Sequence, residues 1–245
     1  LFKLINTVKS ANLYYFSLSF IAFYTSIIIK GYRWRILLKN TNVHLNLKNS
    51  VTIYYLSMFI NSIVPAKLGD IYRGYLLKKK TNNSITLGIG TVFIERIFDL
   101  TSMIIVLVIC GYISFKGDIP LELIYSLEYG IIVIVLLILL LISIIIWNKK
   151  FINIIGNEII GNIMINFEKG LRAINIKTLP TLMILSLIGW IVEGLTVYFI
   201  FLSLNINLGI IFGIFSDLSS SLLTAVPLTP SGLGIVEYAM VYILN

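Results

Sequence analysis

Long apolar runs separated by short, positively charged clusters dominate the chain, and two of those runs are interrupted by the same pattern. Pro-x-x-Leu-Gly occurs at Pro65-Ala66-Lys67-Leu68-Gly69 and again at Pro230-Ser231-Gly232-Leu233-Gly234. The first run, Leu13 to Ile29, predicts a membrane span. Behind it come Lys30, Arg33, Arg35, Lys39 and Lys48 with no acid, which marks a cytoplasmic end. Val51 to Val64 then covers only roughly 21 Å of a hydrocarbon core about 30 Å thick before Pro65 stops it. The short apolar piece Ile71 to Leu77 follows and ends in Lys78-Lys79-Lys80. Positive clusters on both sides of a short, broken segment predict a re-entrant hairpin from the cytoplasmic side.

Ile85 to Phe115 predicts a long span leading to a loop with Lys116, Asp118 and Glu122, which lacks positive bias and reads as external. Tyr125 to Trp147 returns as an almost purely aliphatic span toward Lys149-Lys150. In residues 148–178, Ile152, Ile155, Ile159, Ile163, Phe167 and Leu171 recur at helical spacing among Lys149, Lys150, Glu158, Lys169 and Arg172. That pattern predicts an amphipathic linker on the cytoplasmic interface, read more readily as a connector than as a headgroup sensor. Leu179 to Leu204 is another span, with Glu193 near its middle and an uncharged turn, Asn205-Ile206-Asn207, behind it. The chain re-enters from Leu208 to Val226, meets Pro227 and Pro230, and resumes an apolar helix from Gly234 to Leu244.

The expected fold is an all-α polytopic transmembrane helix bundle with two Pro/Gly-broken hairpins that enter from opposite faces, an inverted repeat. Pro65, Gly69, Pro230, Gly232 and Gly234 are the backbone breaks. Each exposes peptide groups that lipid cannot satisfy, so each is expected inside protein or beside a wet cavity.

Composition agrees with the pattern: 58% of residues are hydrophobic, 12% are charged and the mean hydropathy is +0.96. The formal charge of +8 sits in short loops beside spans, which argues against a nucleic-acid partner and for orientation against an anionic leaflet. A single cysteine, Cys110, excludes disulfide and thiolate-metal architecture, and His44 stands alone in a polar loop. No metal, cofactor or catalytic residue is expected. The chain begins at Leu1 and stops at Asn245 within an apolar segment, so it is expected to be one integral membrane domain incomplete at both ends.

Charges also fall where lipid should be. Glu95, Arg96 and Asp99 lie roughly 15 to 21 Å along the segment that starts at Ile85, close to mid-membrane. Each would cost about 2.5 to 3.5 kcal/mol facing lipid, so all three must face protein or water. Arg96 and Asp99 are suitably spaced to pair, leaving Glu95 for Arg73, one turn beyond the first break. Asp70 is spaced to meet Arg73, and Glu193, Asp217 and Glu237 add acids in the second half. The set reads either as a salt-bridge lattice between helices or as a polar path through the bilayer. Trp34 and Trp147, beside predicted cytoplasmic ends, read as interfacial anchors, and Trp190 lies within a span.

Four motifs then stand in order: Arg33-Trp34-Arg35-Ile36-Leu37-Leu38; Asn61 with Pro65-x-x-x-Gly69-Asp70-x-x-Arg73; Glu95-Arg96-x-x-Asp99; and Pro230-Ser231-Gly232-x-Gly234-x-x-Glu237. Together they resemble the membrane region of lysylphosphatidylglycerol synthases and their stand-alone, flippase-like relatives, with Asp70 where the family more often has Glu. The resemblance implies an integral protein of the cell membrane that translocates a phospholipid or lipid-linked headgroup and is itself no enzyme, since the soluble aminoacyl-transfer domain is absent here. A lipid-modifying enzyme is the partner class it suggests, and no oligomeric state follows. Arg73 and Arg96 would hold the lipid phosphate, while Asp70, Glu95, Asp99, Glu193 and Glu237 would position those arginines or meet a cationic group. Two other classes stay open: a polyprenyl-phosphate-dependent membrane transferase and an ion-coupled small-solute transporter.

Overall fold

Eight helices make up the described part of the chain in a computed structural model, which describes residues 10–64, 66–115, 121–155, 157–223, 234 and 241. They are α1 (Leu13–Asn40), α2 (Leu47–Ile63), α3 (Leu68–Thr81), α4 (Ile85–Ser114), α5 (Leu121–Ile155), α6 (Glu158–Leu171), α7 (Leu179–Ser203) and α8 (Ile210–Leu223). Local chemistry sets several starts. Asn12, Asn46, Ser84 and Asn157 accept backbone N–H groups of the first turns of α1, α2, α4 and α6, while Pro180 supplies the preset φ at the start of α7.

Four helices contain stretches long and apolar enough to cross a bilayer: α1, α4, α5 and α7. The most apolar window of α4 is 56% buried and that of α5 only 6%, so α4 is the central post and α5 presents aliphatic side chains outward. Leu100, Met103 and Leu107 of α4 pack with Leu127 of α5 and with Ile214, Phe215 and Leu218 of α8. On another side, Ile94 and Phe98 meet Leu37, Leu171 and Leu182. This is the fold expected of a polytopic helical membrane protein.

Three expectations need correction. The first span does not stop at Ile29: α1 runs through to Asn40, so Lys30 and Arg33 are helical residues inside the bundle, 3% and 0% exposed, and not part of a surface charge cluster. Nothing between Ile29 and Asn40 breaks a helix, and acids elsewhere in the chain offset the cost of burying the two cations. Trp34 is fully buried as well, so it is no interfacial anchor. Residues 148–178 are also divided differently. Their first part continues α5 to Ile155, and the amphipathic helix proper is the 14-residue α6. One face of α6 is locked to α4 at Gly90 and Gly170, where a Cβ on Gly170 would lie 2.3 Å from Leu87 O. Ile159, Ile160, Ile163 and Ile165 remain exposed.

The first break is a hairpin. Gly69 packs so closely on α2 that a Cβ there would sit 2.1 Å from Ser57 O, and further along Ile53 of α2 and Leu77 of α3 share one apolar cluster with Leu38, Val43 and Leu45. The start of α2 and the end of α3 therefore lie together at the C-terminal end of α1, as in a re-entrant segment. Ala66 and Lys67 turn the chain with φ of 62° and 52°. Pro65, Pro230 and Gly232 lie outside the described residues; Gly234 has a φ of 85°.

The two halves repeat in backbone detail. After α1, the N–H groups of Thr41, Asn42 and Val43 donate to the carbonyls of Leu38, Lys39 and Leu38; after α7, those of Leu204, Asn205 and Ile206 donate to Phe201, Leu202 and Phe201. Asn42 and Asn205 adopt the same left-handed φ, 62° and 61°, a conformation asparagine tolerates. Gly31 meets the Cα of Val51 and Gly194 the Cα of Ile214, each at 2.9 Å from an added Cβ. Every one of these equivalents is 163 residues apart, the separation of Lys30 from Glu193. The copies run in opposite directions: Asn12 N donates to Ser203 O at 2.7 Å at one end of the α1–α7 pair, and Asn40 Nδ2 donates to Thr178 Oγ1 at 2.8 Å at the other. The repeat of α1–α2 in α7–α8 is thus inverted.

Candidate functional site

Four helices, α1, α3, α4 and α7, deliver charged side chains to one connected network. Arg33, from the middle of α1, directs Nη2 to Glu95 Oε1 at 2.8 Å, and its Nη1 lies 2.7 Å from Asp99 Oδ1 and 2.6 Å from Ser186 Oγ. Arg73, one turn past the start of α3, brings Nη2 within 2.6 Å of the other Glu95 oxygen, Oε2. That contact is out of line for a hydrogen bond, and Arg73 Nε has no partner among the described residues. Aromatic faces complete the site instead. The guanidinium carbon of Arg73 is 4.0 Å from the Trp34 ring centroid and 4.6 Å from that of Tyr54, a cation–π arrangement between two rings. Trp34 is fixed in turn by Nε1 donating to Thr91 Oγ1 at 3.1 Å.

Spacing on α4 explains why three of its charges reach different partners. Glu95 and Asp99 share a helix face and both meet Arg33, whereas Arg96 is rotated away toward α3. There Arg96 Nε and Nη2 donate to Asp70 Oδ2 and Oδ1 at 3.1 and 2.7 Å, a forked pair, and Nη1 stands 3.6 Å from Asp99 Oδ2. Asn61 of α2 braces the break: its Oδ1 accepts from Gly69 N at 2.8 Å and its Nδ2 donates to Asp70 Oδ1 at 3.1 Å. Through Asp99 the network continues outward, because Trp190 Nε1 donates to Asp99 Oδ1 at 3.3 Å. Lys30 Nζ lies 3.6 Å above the Trp190 ring and pairs with Glu193.

Exposure divides the network. Arg33, Arg73, Glu95 and Asp99 are closed off, with side chains at most 7% exposed, while Arg96 is 32% exposed and Asp70 16%. The closed part serves as a brace, since a buried ion pair left with one partner costs about 3–5 kcal/mol. The open part is a guanidinium fork of the kind that accepts a phosphate or carboxylate.

Six of the seven residues the resemblance assigned to the headgroup, Asp70, Arg73, Glu95, Arg96, Asp99 and Glu193, fall in this network; Glu237 lies outside the described residues. The main partner of Arg96 is Asp70, on another helix, and Asp70 is turned to Arg96 and Asn61. Sequence reasoning missed Lys30, Arg33 and Ser186 as members. The missing signal was continuity: Lys30, Arg33, Trp34 and Leu37 follow at helical spacing and mark one face of an unbroken α1.

The sequence profile of the family described as "Lysylphosphatidylglycerol synthase TM region" matches residues 1–245. The chain belongs to this family. Among curated proteins it is similar to UPF0104 membrane protein MJ1078 of Methanocaldococcus jannaschii, 65% identical over 188 residues, which cover 77% of this chain and 80% of the relative. UPF0104 membrane protein MJ1595 of the same organism is 27% identical over 98% of this chain and 76% of its own length. UPF0104 membrane protein PH1989 of Pyrococcus horikoshii is 23% identical over 96% and 78%. No solved structure matches. As a member of the lysylphosphatidylglycerol synthase transmembrane-region family, the protein is an integral membrane protein, and its charged network lies among spans.

Proposed function

We propose that this protein moves a phospholipid or lipid-linked headgroup across the bilayer, with Arg96 as the residue that receives the lipid phosphate. The observation that carries the reading is the forked Arg96–Asp70 pair at the first hairpin, the most exposed ion pair of the intramembrane network. A phosphate presents the same paired oxygens as Asp70 and can replace it on the fork, while Asn61 keeps Asp70 at hand to close the site again. The buried braces Arg33–Glu95–Arg73 hold α1, α3 and α4 rigid around that exchange. The family description, which names a lipid-handling synthase, supports a lipid as the cargo.

Reconstituted vesicles carrying a fluorescent phospholipid, or separately a polyprenyl phosphate lipid, test this. Arg96→Ala should abolish movement of the transported lipid, and Arg96→Lys, which keeps charge but not the fork, should slow it by at least tenfold, about 1.4 kcal/mol. Movement at the wild-type rate in Arg96→Ala, at equal reconstitution, would overturn the assignment.

A further inference from the structure

We propose that Glu193 and Asp217 form a proton-binding site within the bilayer, with Lys30 as its fixed counter-charge. This goes beyond the translocase reading and holds whatever headgroup is carried.

Asp217 lies on α8, and the charged groups that act on it are Glu193 of α7 and Lys30 of α1. α8 crosses α7 closely one turn before Asp217, where a Cβ on Gly194 would stand 2.9 Å from the Cα of Ile214, so two carboxylates lie in the field of one ammonium, and that ammonium is already committed to Glu193 and to the face of Trp190. Asp217 Oδ2 is buried and has no hydrogen-bond partner among the described residues. Among the described residues, no other element supplies a cation to offset it. From α4 comes Asp99, itself an acid, held by Arg33 and linked to this triad only through Trp190 Nε1; from α7 come Tyr198, which packs on Gly213, and Thr196, whose Oγ1 is also unpartnered. An unmatched carboxylate in such surroundings carries a large desolvation cost, and forming one O–H bond with a proton from water removes the excess charge.

The repeat points the same way. Asp217 follows Tyr54 by the 163-residue spacing of the two halves. Tyr54 is buried beside Arg73 and carries a phenol, a group that keeps its proton at neutral pH. Where the first half has a permanently protonated side chain, the second has one able to bind and release. A proton also suits the space better than an alkali cation, which needs a shell of oxygens where Lys30 already stands.

Infrared spectroscopy of the full chain in nanodiscs reads the site without any lipid movement, so its failure and failure of the translocase reading are separable. At about pH 6 exposed carboxyl groups are ionised, and the wild type should still show a protonated-carboxyl C=O band that shifts in D2O. Asp217→Asn should remove or displace that band and Glu193→Gln should perturb it, while Glu158→Gln, on exposed α6, leaves it unchanged. Lys30→Gln, which removes the counter-charge, should move its titration upward by about one pH unit or more. Absence of the band in the folded wild type, its persistence unaltered in both Asp217→Asn and Glu193→Gln, or its loss on adding Na+ at constant pH would overturn the proposal.

Discussion

Arg73 lies against Trp34, its guanidinium carbon 4.0 Å from the ring centroid, while the same guanidinium reaches 2.6 Å toward Glu95. The aromatic face and the carboxylate together replace the water that a buried arginine would otherwise need. Removing the carboxylate leaves Arg73 with no paired acid among the described residues and Arg33 with Asp99 alone. Glu95→Ala should therefore destabilise the protein by about 3–5 kcal/mol, read as a lower melting temperature and reduced recovery in detergent. Trp34→Leu should cost less, about 0.5–2 kcal/mol of lost cation–π stabilisation. If Glu95→Ala melts with the wild type, the bracing role fails.

Lys30 and Glu193 belong to the two different halves and pair with each other. Reversing either charge alone places like charges together, whereas exchanging them rebuilds the pair. Lys30→Glu and Glu193→Lys should each lower thermal stability, and the double variant should recover about 0.5–3 kcal/mol of coupling in a double-mutant cycle. Additive losses would show that the pair contributes no coupling.

Glycine positions separate close approach from backbone need. A Cβ on Gly90 would stand 2.4 Å from Phe167 O, so Gly90→Ala must push α6 off α4 and should lower stability by about 1–3 kcal/mol. Gly209 has a φ of 83° and nothing within 4 Å of an added Cβ, so Gly209→Ala should cost only about 1–2 kcal/mol of conformational strain. A cysteine at Phe167, whose carbonyl lies against Gly90, paired with one at a neighbouring α4 position and cross-linked before and after Gly90→Ala, would show whether α6 has moved.

The network was legible in outline, because charged residues in apolar runs are expensive and must meet something. Glu95, Arg96 and Asp99 announced it, and Arg73 followed from its place after the break. What periodicity could not show was which cations lay within a span. Lys30 and Arg33 sit where an apolar run gives way to basic residues, and basic residues there usually mark a membrane surface. Only the packing of α1 against α7 reveals them as interior. The α6–α4 clamp was hidden for another reason: Gly90 and Gly170 are far apart in sequence, and their contact depends on a crossing that no local pattern encodes. The repeat was glimpsed through Pro-x-x-Leu-Gly, whose copies stand 165 residues apart, two out of register with the 163-residue spacing set by hydrogen bonds around Asn42 and Asn205, where most side chains differ.

That spacing gives Lys30 and Glu193 a geometrical meaning beyond their attraction. In two inverted copies, most residues meet a non-equivalent position of the other copy; one that meets its own counterpart must lie on the axis relating them. Lys30 and Glu193 are such counterparts, 163 residues apart and in contact. The axis therefore passes between an ammonium and a carboxylate, so symmetric in backbone and opposite in sign is how the halves touch at their centre. Any displacement of one half against the other therefore acts first on a single, largely buried ion pair, which must stretch or exchange partners before the halves can separate.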